Sequence, residues 1–138
     1  MTNKPDADDP LRALLVDATA VNRDAIAEVL KGRIAIDSGS GRLVLLSSYN
    51  QLDARRKVLN VLLARKAVYL LKLADNEVLT NKEVTDLTGL APGTAAPSLK
   101  SLRELRLVSQ DGDKAYYIPN AQLGNAIDFF KAQGRERS

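Results

Sequence analysis

A mostly helical α+β fold is the architecture that this 138-residue sequence predicts. Apolar residues recur at helical spacing through most of the chain, and capping residues precede several of these stretches. Two other stretches alternate apolar and polar residues around glycine-containing turns, as β-hairpins do. The hydrophobic fraction of 45% is sufficient for a packed core. We therefore expect a folded chain rather than a disordered one.

Residues 1–48 are predicted to form an N-terminal extension of two short helices and a β-hairpin. Asp9 and Asn22 are the expected N-caps of the two helices. The apolar positions of the first helix are Leu11, Leu14, Leu15 and Ala18. Residues 33–37 and 42–46 then alternate around a Ser-Gly-Ser-Gly turn, which favours a hairpin over a phosphate-binding loop because a strand follows the turn.

Residues 49–133 form the predicted second unit, and residues 134–138 are a tail. A capping box at Ser48 and Gln51 predicts a long helix that continues to about Ala74. Its Leu and Val residues cover more than one face, which indicates burial on several sides. We expect a homodimer to cover part of that surface; the alternative is a helix central to a single chain. Asn120 is the predicted cap of a last helix.

Residues 78–118 carry the most informative pattern in the chain. Thr80 and Glu83 form a capping box, and Gly89 supplies a left-handed exit from the helix that they begin. Thr94 is the predicted cap of a second helix, which leads into a strand at residues 107–110. An Asp-Gly turn and a return strand at residues 115–118 follow. This order of helix, tight turn, helix and hairpin suits placing one helix in a DNA major groove.

Residues 81–118 resemble the winged-helix domains of MarR, ArsR and PadR-type bacterial and archaeal regulators. The similarity extends to about residue 58 if the preceding helix is included. The residues that carry it are Lys82-Glu83-Val84-Thr85-Asp86-Leu87-Thr88-Gly89-Leu90, Pro92-Gly93-Thr94, Leu99, Leu102 and Leu107-Val108. The resemblance implies a winged helix-turn-helix that binds double-stranded DNA in transcriptional regulation, or in plasmid partition or mobile-element control.

Candidate DNA contacts follow from placing the second helix against the groove. Its apolar positions predict the outward-facing residues Thr94, Ala96, Pro97, Ser98, Lys100, Ser101 and Arg103. Lys114 and Tyr116 are the candidates on the hairpin. Each charged residue could instead be an ordinary exposed side chain, and Thr94 could serve only as a cap. Neither Ala96 nor Pro97 can hydrogen-bond a base edge. We therefore expect recognition of DNA to depend more on groove shape and phosphate contacts than on direct base readout.

Positive charge is concentrated before this motif. Residues 31–74 hold nine basic and two acidic side chains, whereas the whole chain has a net charge of only +3. Arg55 and Arg56 lie where the helix dipole opposes cations, which suggests a partner anion. That anion could be DNA phosphate, or the acidic residues 6–9 or 24–28 of another subunit. A solvated basic face is the alternative.

Composition excludes several classes of function. The chain contains no Cys and no His, so disulfides, the common zinc and haem sites and His-dependent nucleophilic catalysis are excluded. We expect no enzyme, metal or cofactor. No apolar run is long enough to span a bilayer, and the polar N-terminus is no signal peptide, which predicts a cytoplasmic protein without membrane contact. The rival to DNA binding is an adaptor whose winged helix and long helix dock onto a larger protein assembly.

Overall fold

The computed structural model describes residues 9–14, 22–112 and 114–132. The predicted helical stripe beyond Leu14 and the tail at residues 134–138 lie outside these ranges. Within them the chain is α+β and mostly helical, with five α-helices and two small antiparallel sheets. The helices are α1 (Arg23–Leu30), α2 (Ala54–Leu70), α3 (Asn81–Thr88), α4 (Pro92–Glu104) and α5 (Leu123–Lys131). The strands are β1 (Ile34–Ile36), β2 (Leu43–Leu45), β3 (Leu79–Thr80), β4 (Ser109–Asp111) and β5 (Ala115–Tyr117).

Several predicted helix ends are confirmed. The Asn22 side chain accepts a hydrogen bond of 3.0 Å from the Ala25 N–H at the start of α1. At α3, Thr80 Oγ1 accepts from the Glu83 N–H at 3.1 Å, and Glu83 accepts from the Thr80 N–H at 2.8 Å. Gly89 ends α3 with φ of 74°, a conformation that costs glycine little.

The predicted start of the long helix is wrong. Residues 47–51 form a short 3-10 helix, and the chain then extends at Leu52 so that this side chain is buried. Asp53 is the actual N-cap of α2, and its carboxylate accepts from the Arg56 N–H at 2.9 Å. With 17 residues, α2 is also shorter than predicted. Its end at Leu70 is fixed by a left-handed residue, Lys72, with φ of 65°.

Two further predicted caps are wrong. Helix α4 begins at Pro92, whose fixed φ suits the first helical position, so Thr94 lies inside the first turn rather than at the cap. Asn120 belongs to a 3-10 helix at residues 120–122 that precedes α5. Its side-chain oxygen accepts from Lys66 Nζ at 2.7 Å, which holds this turn against α2.

Helix α2 is the centre of the molecule and packs against α1, α3, α4, α5, β1 and β5. Its core residues Val58, Leu59, Val61, Leu62, Leu63 and Ala64 are buried within this one chain. Most of the apolar surface of α2 is therefore covered within one chain, as in the alternative of a central helix, although Tyr69 and Leu71 at its C-terminal end remain exposed. Burial of Tyr49 beside it raises the pKa of that phenol, whose hydroxyl donates to the Lys57 carbonyl at 2.9 Å.

Helices α2 and α4 end in the same way. Lys72 and Arg106 are both left-handed, with φ of 65°. The next residue in each case, Leu73 or Leu107, donates its N–H to a carbonyl five residues earlier, at 3.0 Å. This is the Schellman pattern. Because it holds Leu107, strand β4 begins at Ser109, two residues later than predicted.

The second sheet follows α4 and has the order β3-β5-β4. Strand β5 is central: Tyr116 pairs with Leu79 of β3 on one side and with Gln110 of β4 on the other. The hairpin β4–β5 turns at Gly112, which has φ of 74°. The first hairpin, β1–β2, is confirmed close to its predicted position, with Ala35 opposite Val44.

Candidate nucleic-acid interface

Helix α4 is held with one face on the core and the other in solvent. Ala95, Leu99 and Leu102 are buried, and α4 packs chiefly on α2. As predicted, the opposite face leaves an exposed set: Thr94, Ala96, Pro97, Lys100 and Arg103. No carboxylate occurs between Pro92 and Arg103. The side that α4 presents to solvent is therefore neutral to basic as far as Arg103, and the exposed Glu104 follows at the last position of the helix.

The two serines of α4 do not share this exposed face as predicted. Ser98 is 7% exposed, and its hydroxyl donates to the Thr94 carbonyl at 2.8 Å. Its position three residues after Ala95 and four before Leu102 places it on the buried side. Ser101 is half-buried, and its Oγ accepts from Arg55 Nη1 at 3.3 Å. The expectation that Ser98 faces outward is wrong.

The hairpin presents one of its two predicted contacts. Lys114 is exposed beside the turn. Tyr116 is only 8% exposed, because alternate residues of the central strand point to opposite faces and this one points to the core. The prediction that Tyr116 is available to contact DNA is therefore wrong.

Arg56 is the largest departure from the sequence prediction, because its side chain is fully buried. Its guanidinium donates to Asp53 Oδ2 at 2.8 Å, to the Phe129 carbonyl at 2.9 Å and to the Phe130 carbonyl at 3.3 Å. It also lies 4.5 Å from the centroid of the Phe129 ring. Arg56 thus caps the C-terminal end of α5 from within the fold and cannot reach a DNA phosphate in this conformation.

Other basic residues of the 31–74 stretch also contact groups of the fold. Arg55 stacks over Phe129, with its guanidinium carbon 5.1 Å from the ring centroid. Arg33 donates to the Val29 carbonyl at 3.2 Å, and Lys66 is buried in an ion pair with Glu77. Including Arg56, these four of the nine basic residues counted in residues 31–74 therefore make contacts within the fold, whereas Lys31, Arg42 and Lys72 are exposed.

Lys100 and Arg103 differ from these cations. Neither side chain makes a hydrogen bond or an ion pair with any other residue that the structure describes. They line a surface groove of about 470 Å³ between α4 and β4, together with Glu104, Val108, Ser109 and Gln110. By contrast, Lys82 on α3 pairs with Asp86 at 2.8 Å, and that hydrogen bond and charge raise the pKa of the lysine. The sequence pattern missed the β4 side of this groove, because alternation in a short strand does not reveal its distance from a helix.

Two absences bear on the site. Among residues 9–14, 22–112 and 114–132, no group of three or more potential ligand side chains could hold a metal ion. Over the same part of the chain, no helix is long and apolar enough to cross a membrane. Comparison with protein-family models, with curated proteins and with solved structures finds no match to this chain.

Proposed function

We propose that the protein binds double-stranded DNA by placing the exposed face of α4 in the major groove, with α3, α4 and the β4–β5 hairpin acting as a winged helix. One observation carries the proposal: α4 presents two exposed cations, Lys100 and Arg103, whose side chains have no partner among the described residues, whereas Glu104 is the only carboxylate of the helix. Neutralising DNA phosphates is a large part of the affinity of such proteins. Regulation of transcription is the role that this activity would serve, with plasmid partition as a related one.

The N-terminal end of α4 supports phosphate binding. No side chain caps this end, because Ala91 occupies the cap position. Thr94 lies exposed in the first turn, so its hydroxyl and the positive end of the helix dipole face solvent together. A phosphate placed there would receive a hydrogen bond from Thr94 while Lys100 and Arg103 reach further along the backbone.

Sequence readout by this face should be weak. Ala96 and Pro97 occupy its middle, and their side chains offer only apolar contact, for which a thymine methyl group is the matching feature. We therefore expect discrimination between DNA sequences to come mainly from groove shape and deformability.

Fluorescence anisotropy of a labelled random duplex tests the proposal. Affinity should fall by more than tenfold between about 50 and 200 mM salt. Lys100→Ala and Arg103→Ala should each weaken binding and reduce the slope of log affinity against log salt by about 1. Lys131→Ala is the matched control, since Lys131 is an exposed α5 lysine paired with Glu28. Equal binding by all three variants and the wild type would remove α4 as the contact surface.

A protein-docking adaptor is the second candidate. It is favoured by Leu105, which is 47% exposed at the end of α4, and by the exposed apolar residues Ala96 and Pro97 near the start of the same helix. Absence of binding to any duplex at about 50 mM salt would contradict DNA binding and favour this function.

A further inference from the structure

A second surface of the molecule, away from the α4 face, has the features of a binding groove. It lies between α1, β1 and the C-terminal end of α2 and encloses about 360 Å³. Ile26, Leu30 and Ile34 form its base and are almost fully buried. Ala67 and Leu70 of α2 complete the apolar lining. Several neighbouring aliphatic side chains thus form one concave apolar surface.

The rim of this groove is basic. Arg23 lies at one edge, where Nη2 donates to the Leu70 carbonyl at 3.3 Å. Lys31 directly follows the same helix, and its exposed side chain has no hydrogen-bonding or ionic partner in the described part of the chain. The lining residues include no carboxylate. The groove therefore suits an apolar segment that carries negative charge.

The chain itself contains a segment of that kind. Residues 10–14 form a short 3-10 helix in which Leu11 and Leu14 are 65% and 75% exposed. Residues three apart lie on one side of such a helix, so the two leucines form a single apolar edge. Asp9 precedes them and accepts from the Leu11 N–H at 2.9 Å, and in residues 1–14 the three aspartates at positions 6, 8 and 9 outnumber the two basic residues, Lys4 and Arg12.

We infer that residues 10–14 of one copy pack into the α1–β1–α2 groove of a second copy, forming a two-fold dimer by exchange of these segments. The exposed leucines supply the apolar contact, and Asp9 faces Arg23 and Lys31. The segment does not fill the groove of its own chain, because both leucines are open to solvent there. Two-fold symmetry repeats the contact. This inference is independent of DNA binding, and it uses only the C-terminal end of α2 as part of the dimer surface.

Sedimentation equilibrium at micromolar concentration provides the first test. The wild type should sediment at twice the monomer mass of 15.0 kDa. The double variant Leu11→Ser/Leu14→Ser and the variant Lys31→Glu should each raise the dimer dissociation constant at least tenfold. Leu105→Ser is the matched control, since it removes an exposed leucine that does not line the groove. Circular dichroism should be unchanged in all of them, because every altered side chain is exposed.

Cross-linking identifies which chain supplies the segment. The protein has no cysteine, so introduced thiols have no competing partner. Leu14→Cys and Ala27→Cys proteins should form a disulfide-linked dimer when they are mixed and oxidised, and should form far less when each is oxidised alone. Efficient cross-linking within one chain of the double-cysteine variant at nanomolar concentration would overturn the exchange.

Other outcomes also overturn the inference. A monomeric wild type would do so, as would a dimer that only the Leu105→Ser control disrupts. A monomer that still binds duplex DNA would reject the exchanged dimer and leave the proposed DNA-binding function standing, so the two hypotheses fail separately.

Discussion

Helices α2 and α4 both carry basic side chains, but the structure uses them in different ways. Arg56 and Lys66 of α2 are buried and bound to oxygens of Asp53, Glu77 and the α5 backbone. Lys100 and Arg103 of α4 are exposed. The difference shows that a count of charges along the sequence does not give the charge of a surface, because neighbours distant in sequence decide which cations remain free.

Arg56→Ala should be the most destabilising change in this comparison. It removes the guanidinium donor of Asp53 Oδ2 and of two α5 carbonyls and empties a buried volume, so we expect a loss of about 3 kcal/mol or more in the free energy of unfolding. Urea denaturation measures it. Arg56→Lys is the matched variant and should recover only part of the loss, since an ammonium cannot reproduce the planar guanidinium fork. A loss below about 1 kcal/mol would mean that Arg56 is not a structural cation.

Lys66→Ala should lower the free energy of unfolding by about 2 kcal/mol, the next largest loss, since it removes a partner of Glu77 and of Asn120. A double-mutant cycle with Glu77→Gln isolates the pair. We expect a coupling energy of at least about 1 kcal/mol between the two positions. Additive losses would show that Lys66 does not stabilise the fold through its ion pair with Glu77.

Lys100→Ala and Arg103→Ala should change the free energy of unfolding by no more than about 0.5 kcal/mol each, because both side chains are exposed and without a partner among the described residues. Their effect should be confined to DNA binding. A stability loss above about 1 kcal/mol in thermal or urea unfolding would remove the distinction between the two helices.

The ion pair between Lys131 and Glu28 is intermediate between the buried cations of α2 and the unpaired cations of α4. Its side chains are exposed, and Lys131 Nζ lies 2.9 Å from Glu28 Oε1. The hydrogen bond and charge of Lys131 hold the pKa of Glu28 below its ordinary value. The stabilisation is therefore present above the unfolded pKa and is lost as pH falls through the lower folded pKa. Lys131→Met should raise the Glu28 pKa toward its ordinary value in an NMR titration. An unchanged titration would show that the pair does not persist in solution.

Local signals in the sequence were sufficient for the hairpins and for several helix ends. Asn22, Thr80 with Glu83, and Gly89 act through residues at most four positions away, so short patterns identify them. Ser48 and Gln51 have the spacing of a cap but form a 3-10 helix, because burial of Leu52 and capping by Asp53 compete with it. Tertiary packing decided the outcome there.

The candidate site was predictable to a similar extent. Ala95, Leu99 and Leu102 predicted the buried side of α4, and hence the exposure of Lys100 and Arg103. The role of Arg56 depends on carbonyls more than 70 residues away. Its only local signal is Asp53 three residues earlier, and that spacing does not distinguish a surface ion pair from a buried one.

The left-handed residues that end α2 and α4 offer a route to greater thermostability. A side chain with a Cβ is strained at this backbone conformation, whereas glycine is not. Lys72→Gly and Arg106→Gly should therefore each stabilise the protein by roughly 0.5 kcal/mol, the relief of strain exceeding the loss of a favourable cation at the helix end. Both positions are exposed, so the two substitutions can be combined to obtain a more robust chain without redesign of the core.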